Sequence, residues 1–340
     1  MKTLQSIGGA ELPIHGDETH VRQRPGPETN WQDSVVLVWW DDTHRIGGFH
    51  RIGHETNVET SAGGPMIALW NNLITPEGVY RKTVYQPLRD ADQLASGGHG
   101  GGDDTCRCEY LNGEHIWTIQ DGDVSAELRH SDFSPNVDCY PKHGAIGDDF
   151  APAHFDVPGR VTGWLKVNGT EYKVQGLSVR DHGWGPRDWN SVYSHRWVAG
   201  TTGPDFGFIG VSWHAANDSM ASFGWVLRGQ RVIYAKKLDI LTYTEIDGAT
   251  NRGGRVRFEL AGVDGEPGET VDIECTALAP GLISTHHNIC CTDTLCHITV
   301  DGQAGFCDFE SSSNLQHGKR VPAKAVGLVA NGFHPNPVRA

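Results

Sequence analysis

The stretch VPGRVTGWLKVNGTEYKVQGLSVRDHGWGPRDW, residues 157–189, decides the fold. Val161, Gly163, Leu165 and Val167 alternate with other residues, the period of two that places one set of side chains on one face of a strand. Asn168-Gly169 follows, a pair that suits a two-residue hairpin turn because both positions take positive φ. Tyr172, Val174 and Gly176 then alternate on the return. The pattern predicts an antiparallel hairpin that runs directly into RDHGWGPRDW, residues 180–189.

Six residues of that decapeptide are charged or indole-bearing, and a seventh is histidine. Glycines and a proline mark a turn, yet two tryptophans are costly to leave in water. In an extended chain Arg180, His182 and Trp184 share one face and Asp181 the other, so Asp181 and His182 cooperate only if Gly183 and Gly185 bend the backbone. Two readings stay open. In the architectural one, Arg180 or Arg187 clamps Asp181 or Asp188, and Trp184 and Trp189 plug a barrel floor. In the chemical one, an acid or imidazole faces an apolar cavity, where burial keeps a proton on a carboxyl near neutral pH.

Outward from this hairpin the same style repeats. Val35–Trp40 reads as a buried strand, DDTH as a turn, and Arg45–His54 as the return. GGPMIALWNNLI, TPEG and VYRKTVYQPL give another hairpin. Asn112-Gly113 and Asp121-Gly122 mark two more. SGGHGGGDDT, residues 96–105, is expected as a mobile loop. The second half offers strand-like runs with turns every 8–12 residues, and no helical period extends beyond about three turns. PLRDADQLA and PAKAVGLVA are short-helix candidates. The expected fold is all-β, two consecutive lipocalin-like antiparallel barrels or sandwiches packed together. The expected boundaries are an extended arm at 1–30, one β domain at 31–185 and a second at 186–340.

The 340 residues carry a net charge of −14 with no basic run, which argues against nucleic acid or an anionic membrane surface as partner. No apolar stretch reaches membrane-spanning length, so no stable membrane insertion is expected. The N-terminal residues lack a signal-peptide core, and a cytoplasmic location is expected. In that compartment the eight cysteines are expected as free thiols. The tract HHNICCTDTLCH, residues 286–297, has no standard zinc spacing, since Cys290 and Cys291 are adjacent. No metal and no cofactor are expected. Hydrolase elbow, phosphate loop and H-E-x-x-H motifs are all absent.

Several further residues carry paired readings. Trp39-Trp40-Asp41-Asp42 is a solvated turn beneath core indoles, or it places Asp41 at a barrel mouth as acid or base. His50 and His54 share a strand face as core histidines, or as a proton shuttle or metal pair. His214, beside Trp213, is a satisfied core residue or a cavity acid/base. His130 and Asp132 alternate onto one face, which suits an imidazole oriented by a carboxylate. Trp40, Trp184, Trp197 and Trp213, with Arg187, are the candidate substrate-binding residues, because aromatic faces stabilise cations.

Arg180, Asp181, His182, Trp184, Gly185 and Arg187 match the Arg-Asp-His-x-Trp-Gly-x-Arg segment of a lipocalin-like superfamily. The chain resembles its hydroxyneurosporene synthases (carotenoid hydratases) and kievitone hydratase-like proteins. WWDDTHRIGGFHRIG is similar to the family's first hairpin, and GFCDFESSSN to its closing strand. The resemblance covers roughly residues 31–320. It implies two barrels and a hydratase, dehydratase, isomerase or cyclase activity on a hydrophobic terpenoid, aromatic or polyketide substrate. With the residues above it gives an expectation: acid–base catalysis by Asp181 or His182, with Asp41 or His214 as counterpart. Two rivals stand beside it, a non-catalytic carrier of a hydrophobic small molecule and a metal-dependent enzyme drawing on the 18 histidines and the cysteines. A homo-oligomer is left open.

Overall fold

The computed structural model describes residues 5–7, 16–57, 64–139, 153–229, 231–246, 250–262, 267–279, 281–286, 289–314 and 332–335. It is all-β, with no α-helix among the described residues. The strands are β1 (Gln5–Ile7), β2 (Trp31–Asp41), β3 (Ile46–Glu55), β4 (Met66–Thr75), β5 (Gly78–Pro87), β6 (His99–Gly101), β7 (Cys106–Leu111), β8 (Glu114–Asp121), β9 (Val124–Asp132), β10 (Ala153–Val167) and β11 (Thr170–Pro186). There follow β12 (Val192–Gly203), β13 (Phe206–Ala215), β14 (Met220–Arg228), β15 (Arg231–Thr244), β16 (Asn251–Leu260), β17 (Thr270–Ala277), β18 (Leu282–His286), β19 (Ile289–Asp293), β20 (Leu295–Val300), β21 (Gln303–Asn314) and β22 (Gly332–Pro335). No described helix is long and apolar enough to cross a membrane.

The chain divides into two compact units, Pro13–Arg187 with Ala330–Ala340, and Asp188–Val329 with Met1–Leu12. The first is one curled sheet in the order β22-β5-β4-β3-β2-β11-β10-β9-β8-β7-β6, an open half-barrel. The second closes: β12 to β17, then β20 and β21, return to β12 as an eight-stranded barrel. Strands β18 and β19 extend from β21, and β1 adds to β15 in parallel.

The deciding hairpin forms as its residues require. β10 and β11 pair in register from Ala153↔Trp184 to Val167↔Thr170. Asn168 and Gly169 turn the chain at φ 49° and 83°, the doubly positive geometry of a tight hairpin turn. Asn112-Gly113 does the same between β7 and β8. The Asp121-Gly122 turn falls one residue later, at Gly122-Asp123, because Asp121 still pairs with Val124. PLRDADQLA holds only a three-residue 3-10 turn at Asp90–Asp92, whose Asp92 carboxylate ties back to Arg89. PAKAVGLVA and most of residues 1–15 lie outside the described residues.

Two expectations need correction. The glycine tract is not simply a mobile loop: His99–Gly101 forms β6 against β7 and buries all three residues. Its glycines permit close approach, since a Cβ at Gly98 would sit 2.4 Å from the Cys108 carbonyl oxygen and one at Gly101 3.1 Å from Ile67. Residues 17–20, expected within an extended arm, form a 3-10 turn that buries Thr19 completely.

In the first unit Val35, Leu37 and Trp39 of β2 pack with Ile52, Leu69, Trp117, Leu128, Val161 and Leu165 in one apolar core. The same face of β2 also carries Asp33, and the register sets Ser178, Arg180, His182 and Trp184 of β11 opposite Trp39, Leu37, Val35 and Asp33. The core therefore grades along its own strands into a buried polar belt. In the second unit the core is Val198, Phe208, Val226, Phe258, Ile273, Ile298 and Phe309.

Candidate functional site

Strands β2, β3, β6 and β11 bring Asp33, His54, His99 and His182 together in the first unit, each buried to 2% exposure. Asp33 Oδ1 lies 2.8 Å from His182 Nε2 and 3.2 Å from His99 Nε2. Its Oδ2 accepts the Gln23 backbone N–H at 2.6 Å. His182 Nδ1 lies 2.6 Å from the Thr19 carbonyl oxygen. A carbonyl and a carboxylate only accept, so the ring form that satisfies both donates from both nitrogens and carries a positive charge beside Asp33. Burial alone would raise the Asp33 carboxyl, but His99 and His182 outweigh it and hold it far below the usual carboxylate range.

His54 donates from Nε2 to the Gly100 carbonyl at 2.9 Å, which leaves Nδ1 as an acceptor without a partner. Burial, with His99 beside it, lowers this imidazole to about 4, so it is neutral at pH 7. The imidazoles succeed one another, with centroids 5.0 Å apart for His54–His99 and 5.7 Å for His99–His182. Trp184 lies 4.8 Å from His182 and 5.2 Å from Phe155. A cleft of about 20 Å³ reaches Asp33 and His54 and is lined also by Arg22, Gln23, Trp31 and Thr56. That is room for about one water. Trp31 Nε1 and Thr56 Oγ1, two of its lining polar atoms, have no hydrogen-bond partner either.

A second group follows along the belt. Arg180 grips Asp132 through Nε and Nη2 at 2.7 and 2.8 Å, and also bonds Asn136. His130 joins Ser178 Oγ at 2.8 Å and Asp132 Oδ1 at 2.9 Å, so the expected carboxylate-oriented imidazole is present. Burial would raise Asp132, but Arg180 holds it well below its ordinary value. His20 meets His115 at 3.0 Å and stacks on Tyr110 at 3.9 Å.

Asp181 faces the other side of β11. Its Oδ2 lies 2.9 Å from His154 Nε2, and its Oδ1 has no partner. The expectation of a proton-holding, raised Asp181 is corrected: burial does raise it, but His154, Arg187 and His182 outweigh burial and the net shift is downward. Asp181 and His182 therefore do not line one indole-walled chamber. Strand alternation separates them, and each is hydrogen-bonded.

The remaining candidates are placed as follows. Asp41 is fully buried and spent on its own turn, accepting from the backbone of Thr43, His44 and Gln175 while also meeting the His44 ring. Trp40 bonds Asp42 and lies under Arg45. His50 accepts from Trp39 at 2.9 Å and meets Asn71 at 2.6 Å, a closed core set that does not pair with His54. Arg187 donates its backbone N–H to Asn30, and Asp188 caps the turn at Trp189–Ser191. His214, Trp197 and Trp213 belong to the second unit. There His214 lies 3.6 Å from Asp218, and Trp213 stacks on His195. Cys290, Cys291 and Cys296 are buried free thiols, while the His286 side chain and His287 lie outside the described residues. The second unit also has a groove of about 500 Å³ lined by Met220, Leu238, Ile240 and Leu241, with Arg255 and Arg257 both committed to Asp272.

Sequence reasoning missed Asp33, His99 and His20. Asp33 precedes an apolar strand and reads as a flanking polar residue. His99 stands alone among glycines. The available signal was the alternation of β2, which puts Asp33 in phase with Val35, Leu37 and Trp39 on the core face.

A family profile described as "Domain of unknown function (DUF7064)" matches residues 16–315. None of the curated proteins matches the sequence. Among solved structures, an AttH-type protein from Nitrosomonas europaea aligns with a TM-score of 0.64 at 14% identity, covering 92% of this chain and 99% of that one. CghA aligns at 0.58 and 10% identity over 90% and 97% of the two chains. Kievitone hydratase from Nectria haematococca aligns at 0.54 and 8% identity over 92% and 96%. At these identities the likeness shows a common fold.

Proposed function

Because the chain belongs to the DUF7064 family, a membership that assigns no reaction, we propose its function from the site: an acid–base hydro-lyase that adds water to, or removes it from, a carbon–carbon double bond of a hydrophobic substrate. One observation carries this reading. His182 is fixed between the Thr19 carbonyl and Asp33, while an unpartnered His54 nitrogen and the same carboxylate line a cleft of one-water size.

In the hydration direction the water donates a proton to His54 Nδ1 as its oxygen bonds to one carbon. The proton that His182 holds against Asp33 passes to the other carbon by way of that carboxylate, which lines the cleft. The proton on His54 then returns toward His182 past His99 and Asp33, which restores both rings and leaves the protein unchanged. Trp31, which lines the cleft, offers an aromatic face to positive charge on the substrate. The expected terpenoid, aromatic or polyketide class agrees with that wall, and sharing a fold with kievitone hydratase lends it support.

The test is incubation of the protein with a panel of prenylated, terpenoid and polyketide alkenes and tertiary alcohols in oxygen-18 water. The expected result is a product changed in mass by one water, with label in the new hydroxyl. Saturable binding across the panel with no such product overturns the reading. That outcome supports the carrier alternative, which the roomier groove of the second unit favours.

A further inference from the structure

The strand pair that carries His182 has a different polar group on its opposite face. The β10–β11 register sets Asp156 directly across from Asp181. Two carboxylates in that position repel. His154 Nε2 stands 2.9 Å from Asp181 Oδ2 and 3.6 Å from Asp156 Oδ2. A ring nitrogen carries one proton and satisfies one of them. Cys139 Sγ approaches Asp156 Oδ2 to 2.8 Å, inside the ordinary contact distance of sulfur and oxygen. The Cys139 backbone N–H donates to the His154 carbonyl at 2.7 Å, which pins the cysteine to the start of β10. Cys139, His154 and Asp156 are all buried.

Three donor atoms of different kinds thus converge on one point, all within 4.8 Å of one another. A tetrahedral zinc site with its usual bond lengths sets donor–donor edges of roughly 3.3–3.6 Å. We propose that Cys139, His154 and Asp156 bind a divalent transition-metal ion of the zinc type, with the fourth position open toward Asp181. The thiolate and imidazole favour zinc-like ions over calcium or magnesium. On binding, the Cys139 S–H proton leaves to solvent, His154 ligates through Nε2 with its proton on Nδ1, and thiolate plus carboxylate balance the two positive charges. A water in the fourth position donates to Asp181 in place of the imidazole. Without a cation, burial and then Asp156, Asp138 and Asp181 push the Cys139 thiol well up, the signature of an electronegative pocket. Neither of the other two imidazole–carboxylate groups contains a thiol, and in them Asp132 binds Arg180 and His182 meets Thr19. The ion ties residue 139 to β10 and stands apart from the Asp33 site.

The experiment is metal analysis of the full chain after chelator dialysis and loading with zinc, then with cobalt(II). About one ion per chain is expected, with a thiolate-to-cobalt absorption band in the near ultraviolet. Cys139→Ser removes the band and weakens binding at least about tenfold, while Asp33→Asn keeps both. Failure of the wild-type chain to retain either ion overturns the proposal. So does cobalt bound with no thiolate band, or a band that persists in Cys139→Ser. The wild-type spectrum decides even if the serine variant fails to fold, and none of these readings depends on turnover.

Discussion

Arg180 shows at a single position why the decapeptide is written as it is. Its side chain is nearly inaccessible, 3% exposed, and its charge is balanced by the two-point bond to Asp132. Breaking a fully buried pair from one side typically costs about 3–5 kcal/mol, and the quarter of the Asp132 side chain that stays in solvent brings this down to about 1–3 kcal/mol. Arg180→Met is expected to lose that much in a denaturant titration. Combining it with Asp132→Leu is expected to recover part of the loss, because no orphaned charge remains. Of the two readings of this residue, the clamp is the one that its own contacts express, with Asp132 rather than Asp181 as the partner. The sequence shows that Arg180 has a carboxylate to bind but not which one, because Asp132 reaches it from a strand 48 residues earlier.

At the scale of elements, the β10–β11 hairpin separates two uses of glycine. Gly169 has φ of +83° and open space where a Cβ would go, so a side chain there meets only backbone strain. Gly163 has φ of +138°, and a Cβ would stand 1.9 Å from the Glu127 carbonyl oxygen of β9. Gly169→Ala is expected to cost about 1 kcal/mol, and Gly163→Ala clearly more, in the same unfolding measurement. Equal costs would mean that β9 and β10 yield freely at this crossing. These elements were legible because alternation and turn chemistry act locally. The Asn168-Gly169 turn and the opposite facing of Asp181 and His182 both follow from the chain within a few residues. β6 was not legible, since its three residues become a strand only when β7 supplies the partner. The candidate site was half legible for the same reason. His182, His54 and Trp184 sit in patterned strands, whereas Asp33, His99 and Cys139 acquire meaning only from what the sheet brings beside them.

On the scale of the whole molecule, the two units answer pH in opposite directions. In the first, burial holds His50 and His54 at about 4, against 6.5 when unfolded. The unfolded chain takes up those protons more readily, so this stability is full above pH 6.5 and lost as pH falls toward 4. Asp33 adds to the trend: its folded value is depressed, so its contribution is present above the ordinary carboxylate range and lost only in acid. In the second, burial and then mutual repulsion with neighbouring carboxyls raise Asp293 and Asp308 well above their ordinary values. Their unfolded forms release protons first, so stability there falls as pH rises past the ordinary carboxylate range. Hydrogen exchange, corrected for intrinsic rates, is expected to show β3 gaining about 2 kcal/mol of protection per buried histidine between pH 5 and 7. Over the same interval β21 is expected to lose protection. A common direction in both strands would contradict the assignment of charge states.

All of this converges on Asp33, the carboxylate that His182 bonds and His99 approaches to 3.2 Å at the edge of the one-water cleft. Once a substrate is in hand, the turnover number of folded Asp33→Asn is the most direct test. Neutralising the carboxylate removes the partner of the charged ring while the amide keeps the shape. A fall in kcat of at least about a hundredfold, with substrate binding little changed, is the predicted result. A variant that turns over at the wild-type rate would contradict it.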